Sequence, residues 1–113
     1  MKFEDAQAKA LAFRDDRDWS QFHNPKDLAI SISLEAAELL ECFQWSGKDL
    51  EVQEKEEHMT EELADVVVYC IYLADALGVD LANIVSEKID LDAMKYPVEK
   101  ARGSSAKYTE LER

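Results

Sequence analysis

Residues 61–74 read "EELADVVVYCIYLA", and this run decides the fold. Its apolar residues form an unbroken block from Val66 to Ala74 with no Gly or Pro inside it. The run is long enough, with the segments around it, to be a helix that is apolar on every side, and such a helix in a short chain is buried against several partners at once. Working outward, the chain has only three Gly and two Pro, and apolar residues recur almost everywhere at intervals of three and four. That period specifies an all-α protein.

Four helices follow from the pattern. The first runs from about Phe3 to Arg17, with Ala6, Ala10, Leu11 and Phe13 as its apolar stripe. "SQFHNPKD" breaks it, with Asn24 as N-cap and Pro25 in the first helical position of the second helix. That helix extends to about Trp45 and stops at Gly47. "GKDLEVQEKEEHM" is an acidic, solvated connection with some helical character. The third helix follows Thr60 as N-cap and ends near Gly78; the fourth covers about Asp80 to Lys95 and closes at Pro97, before a polar tail over residues 97–113. The expectation is one domain over residues 1–113, a small four-helix bundle whose third helix also packs on another copy in a homodimer or homotetramer.

The chain has 113 residues, 47% hydrophobic and 34% charged, which suits a single domain with a modest core. Thirteen Lys and Arg against 25 Asp and Glu leave a formal charge of -12. A field of that sign repels nucleic-acid backbones and anionic membrane surfaces and attracts cations. "MKFEDAQAKA" lacks the apolar core of a signal peptide, and no stretch approaches the roughly 20 apolar residues of a membrane span. A soluble cytoplasmic protein is expected, with neither a nucleic-acid polymer nor a membrane as partner. Cys42 and Cys70 sit in apolar helical surroundings and read as buried free thiols.

Carboxylates break the apolar pattern. At 100° per residue, Glu35 and Glu38 of "SLEAAELLE" lie about 60° apart, in the sector that holds Leu28, Ile32, Leu39 and Cys42. Glu62 and Asp65 share a sector with Val66, Tyr69 and Leu73. All four acids therefore face inward, where an unpaired carboxylate costs several kcal/mol. Either Lys or Arg neutralises them, or a cation sits between them. Two i,i+3 acid pairs without His or Cys suit a hard ion, Mg²⁺ or Mn²⁺. A di-iron centre would want Glu-x-x-His pairs, and neither His23 nor His58 follows an acid at that spacing. Glu41, Glu51, Glu54, Glu56 and Glu57 fall off the stripes and read as solvated.

Glu35-x-x-Glu38, 23 intervening residues and Glu62-x-x-Asp65 resemble the signature of the MazG-like all-α nucleoside triphosphate pyrophosphohydrolases. "RDWSQFHNPKDL", "EAAELLECFQW", "EELADVVVYCIYLA" and "KYPVEKARGSSAKYTEL" are similar, in order and spacing, to the dCTP pyrophosphatase branch of that family. The resemblance implies cleavage of a (deoxy)nucleoside triphosphate, dCTP or a modified dCTP, to the monophosphate and pyrophosphate. It implies Glu35, Glu38, Glu62 and Asp65 as Mg²⁺ ligands, with Glu38 also the base toward water. Trp19, Phe22, His23, Trp45 and Tyr69 would meet base and sugar, and Lys88, Lys95, Arg102 and Lys107 the phosphates. Two positions depart from the family pattern: Ala10 stands where some relatives carry His, and Asp92 where Asn is usual. A non-catalytic acidic helical module that binds a partner protein through the third helix is the alternative reading.

Overall fold

The computed structural model describes residues 1–111, and among them every regular element is helical. Helices α1 (Phe3–Asp16), α2 (Pro25–Glu41), α3 (Glu56–Leu77) and α4 (Leu81–Lys95) are joined by a 3-10 turn at Trp19–Phe22 and another at Gln53–Lys55. A short helix α5 (Val98–Ala101) and a 3-10 turn at Tyr108–Glu110 complete the chain. Its contacts divide it into one compact unit over Met1–Val79 and a second that begins at Asp80. No single helix among the described residues is long and apolar enough to cross a membrane.

Local chemistry sets most helix ends. Asn24 caps α2, its side chain accepting from the Asp27 amide at 2.9 Å, and Pro25 occupies the first turn where its missing N–H is not needed. Asp80 caps α4 in the same way through the Asn83 amide. Gly78, at φ 69°, ends α3 in the left-handed conformation, and the amides of Gly78 and Val79 return to Asp75 and Ala74.

Two boundaries, and the segment between them, differ from the sequence reading. Helix α2 ends at Glu41, because the amides of Cys42, Phe43 and Gln44 bond three residues back and tighten the chain. Trp45 then takes a left-handed φ of 67°. Helix α3 starts at Glu56, four residues ahead of the expected cap, and Thr60 lies inside it, its hydroxyl donating to the Glu56 carbonyl at 3.0 Å. The acidic connection is tied down rather than simply solvated. Asp49 accepts from the amides of Glu51 and Val52, and Val52 is 3% exposed.

In the first unit α3 packs most extensively on α2 and next on α1. Leu28, Cys42, Val52, Ile71, Tyr72 and Ala74 form its core. Phe13, expected on the buried stripe of α1, is exposed; the buried residue there is Arg14, whose guanidinium bonds Asp75 of α3 at 2.7 Å and Asp15 at 2.8 Å. The Tyr72 hydroxyl adds a second tie between the two helices, donating to the Ala10 carbonyl at 2.9 Å. Both thiols are free, Cys42 buried and Cys70 half-buried.

Candidate metal centre

The pairing of α2 with α3 brings Glu35, Glu62 and Asp65 together. One carboxylate oxygen from each lies within 4.8 Å of the others. Glu62 is buried, Glu35 is half-buried, and Asp65 and Glu38 are exposed. All four acids therefore meet at the centre, but only Glu62 is buried and Glu35 half-buried there, while Glu38 and Asp65 reach it from exposed positions. Helical arithmetic gives a side chain's direction around its own axis, not how far the neighbouring helix covers it.

Electrostatics mark the centre as short of positive charge. Burial, then the neighbouring Glu62 and Glu38 carboxyls, pushes the Glu35 carboxyl up to about 7. Burial and the Glu38 carboxyl also raise that of Glu62. The Oε2 atoms of Glu35 and Glu62 are both buried and without a hydrogen-bond partner. Among the described residues no Lys or Arg forms an ion pair with any of the four acids; their one basic neighbour is His58, 3.7 Å from Glu62. Orphaned oxygens on converging carboxylates are the donor set of a hard divalent ion, so these residues fit Mg²⁺ or Mn²⁺.

A pH dependence follows for the metal-free protein. Folded Glu35 keeps its proton to about pH 7, whereas the unfolded chain releases it near its ordinary 4.5. The stabilisation is full below the lower value and is lost as pH rises through the upper one. Burial, with Arg14 nearby, lowers the His23 pKa, and that works in the opposite sense as pH falls through its ordinary 6.5. The comparison with Glu35→Gln isolates the carboxyl: in EDTA, the wild type should lose melting temperature relative to the variant between pH 5 and 8. Parallel curves for the two proteins would refute the shift.

Beside the centre, α1 and α3 enclose a groove of ≈ 370 Å³ lined by Ala6, Ala10, Phe13, Val68 and Tyr72, with Asp65 in its wall. Three of the expected base-binding residues do not line it but contact aromatic rings that do. Trp19 meets Phe13 edge to face at 5.6 Å, and Tyr69 meets Tyr72 at 6.1 Å. The His23 ring lies 5.0 Å from that of Tyr72, with Nδ1 buried and unpartnered. Phe22 and Trp45 are exposed, Trp45 at 92%.

The four expected phosphate contacts belong to the second unit. Lys88 is held by Asp92 at 2.6 Å, one turn away on α4, so the Asp92 departure pairs with Lys88 directly. Lys95 lies over the Tyr108 ring at 5.0 Å. Arg102 ends α5, and Lys107 precedes the turn at Tyr108–Glu110.

Sequence reasoning missed Tyr72, Arg14 and His58. Tyr72 was within reach, because Asp65, Tyr69 and Tyr72 follow one another at helical spacing. His58 lay hidden behind the late start given to α3, which placed it outside the helix that makes it a neighbour of Glu62.

Residues 30–111 match the model of the MazG-like family. The chain is 38% identical over 115 residues to dCTP pyrophosphatase 1 of Rattus norvegicus, covering 97% of this chain and 68% of that protein. It is 39% identical over 113 residues to dCTP pyrophosphatase 1 of Homo sapiens, covering 96% and 66%. A pyrophosphatase of known crystal structure from Archaeoglobus fulgidus superimposes with a TM-score of 0.75 at 40% identity, over 84% of this chain and 92% of its own.

Proposed function

The chain belongs to the MazG-like family and is a nucleoside triphosphate pyrophosphohydrolase, and on that premise we propose that it cleaves dCTP or a modified dCTP with Mg²⁺. The observation that carries the metal is the pair of buried, partnerless oxygens on Glu35 and Glu62. The preference for a cytosine nucleotide rests on the names of the mammalian relatives.

In this reading Glu35, Glu62, Asp65 and Glu38 would hold the ion. When bound, it would supply positive charge to the phosphate oxygens and lower the pKa of an attacking water. Glu38, exposed beside Glu35 and Glu62, would accept the proton from water as its oxygen adds to the α phosphorus and the α–β anhydride bond breaks. The electron pair leaves with pyrophosphate. Tyr69, Trp19 and His23, in ring contact with the groove's Tyr72 and Phe13, orient base and sugar, with Phe22 and Trp45 supplying further aromatic faces. Lys88, Lys95, Arg102 and Lys107 are assigned to the phosphates by charge alone. A single functional domain over residues 1–113 is part of the same proposal.

We assign the protein to the cytoplasm, as an enzyme of nucleotide-pool sanitation or balance. Assembly as a homodimer or homotetramer of four-helix bundles belongs to the same reading. It is supported by large apolar side chains left exposed on α2 and α3, namely Ile30, Leu34, Leu40 and Leu63.

The test is pyrophosphate release from the purified protein across the standard and 5-modified (deoxy)nucleoside triphosphates, with Mg²⁺ or with EDTA. Metal-dependent pyrophosphate, greatest with dCTP or a 5-modified dCTP, is expected. Equal rates in EDTA would remove the metal from the mechanism, and a purine preference would remove the substrate assignment.

A further inference from the structure

Arg14 is buried and has no part in the proposed chemistry. At 8% exposure it is the one buried residue of α1, in a place where an amphipathic helix would ordinarily set an apolar side chain. A guanidinium taken out of water is costly unless its donors are met. Here Nε bonds Asp15 and Nη1 bonds Asp75, whose own side chains stay 56% and 46% exposed.

The buried end of this network reaches the aromatic wall of the groove between α1 and α3. Arg14 Cζ lies 5.8 Å from the centroid of the Tyr72 ring. Tyr72, 4% exposed, lines the groove, spends its hydroxyl on the Ala10 carbonyl, and meets the rings of His23 and Tyr69. Arg14 to Asp75 and Tyr72 to Ala10 are the hydrogen bonds that join α1 to α3 among the described residues, and both lie in the C-terminal halves of the two helices. Asp65 lines the same groove about two turns before Tyr72, so the ties fix one end of it and the acid centre stands at the other.

Apolar packing does little to hold α1 in place. Ala6, Ala10 and Leu11 are only half-buried and Phe13 is exposed. The separation of the two helices, and with it the width of the groove, therefore depends on the polar ties.

We propose that Arg14 is a positioning residue for the nucleobase: through Asp75 it fixes α1 against α3, and through Tyr72 it sets the groove that receives the base. Lysine is an incomplete substitute, because a single ammonium lacks the planar fork that bonds two carboxylates from separate nitrogens. The inference deepens the reading above, since it rests on this groove being the place of the base.

The test is steady-state kinetics of the full chain in Mg²⁺, for the wild type, Arg14→Met, Arg14→Lys and Asp75→Asn. KM and kcat are measured for the nucleoside triphosphate that the wild type cleaves fastest, together with the inhibition constant of 1,2-dideoxyribose 5-triphosphate, which has the phosphates and no base. Arg14→Met should raise KM at least about fivefold and leave kcat within about twofold, the pattern of lost binding rather than lost chemistry. Its inhibition constant for the base-free compound should match the wild type. Arg14→Lys and Asp75→Asn should show the same pattern to a smaller degree, and they decide the matter if Arg14→Met does not fold. Wild-type KM in the variants, however far their melting temperatures fall, overturns the proposal and leaves Arg14 a purely structural tie. An inhibition constant that rises in step with KM also overturns it, because the damage would then lie at the phosphates. A wild type that binds the base-free compound as tightly as the complete nucleotide would sink the groove itself as the base site, and the proposal with it.

Discussion

Glu62→Gln is expected to lower kcat/KM with Mg²⁺ by at least about 100-fold, or about 2.7 kcal/mol of transition-state stabilisation, while raising the melting temperature of the metal-free protein. The opposite signs come from one cause. Glu62 is buried among like charges, with a carboxyl whose proton affinity burial and Glu38 have raised and with an oxygen that nothing bonds. Without metal, that arrangement opposes folding; with metal, it supplies a ligand. Glutamine keeps the shape, donates an amide hydrogen toward the remaining carboxylates, and gives up the negative charge that binds the ion. Melts in EDTA and in Mg²⁺ beside steady-state kinetics would show both effects. Turnover left intact would remove Glu62 from the metal site, and a lower metal-free melting temperature would make it an ordinary structural residue.

Leu28→Ala should do the reverse, harming the fold and sparing the chemistry. Leu28 is 1% exposed at the start of α2 and is one of the two largest fully buried side chains. Truncation removes apolar burial and leaves a cavity, at about 3 kcal/mol. For a unit of this size that is a fall of on the order of 12–24 °C in melting temperature. The rise in melting temperature on adding Mg²⁺ should persist, because the variant keeps all four acids and a ligand that binds only the folded state stabilises it by mass action. Denaturant and thermal unfolding with and without Mg²⁺ measure both quantities. A loss below about 1 kcal/mol would mean that the site collapses around the smaller side chain.

Elements closed by their own residues were legible in the sequence. Asn24 and Pro25 start α2, Asp80 starts α4 and Gly78 ends α3, each through bonds within a few residues. The start of α3 was not legible, because it depends on Val52 being drawn into the core, a tertiary fact that the acidic composition of the segment conceals. Arg14 looked like an ordinary surface cation for the same reason: its partner Asp75 lies 61 residues away. At the centre, the i,i+3 spacing of the acids showed which residues converge. It could not rank their exposure, which is set by the packing of α2 on α3. The aromatic residues were legible as a class, but Tyr72 was overlooked in favour of Tyr69, its neighbour one turn earlier.

The anchoring of Val52 also bears on how this chain tolerates changes in length. With Val52 buried and Asp49 folded back on its amide, the link between α2 and α3 is fastened near its far end, and Gly47 and Lys48 form an exposed turn closed by the Asp49 amide on the Ser46 carbonyl. Residues added between Gly47 and Lys48 lengthen a surface loop whose two ends stay fixed. Each doubling of such a loop costs only about 0.6 kcal/mol. Descendants of this sequence could therefore acquire a long insertion there while the spacing between the glutamates of α2 and the acids of α3 in space stays the same. The number of residues separating the two acid pairs along the chain is thus free to drift where the geometry they build is not.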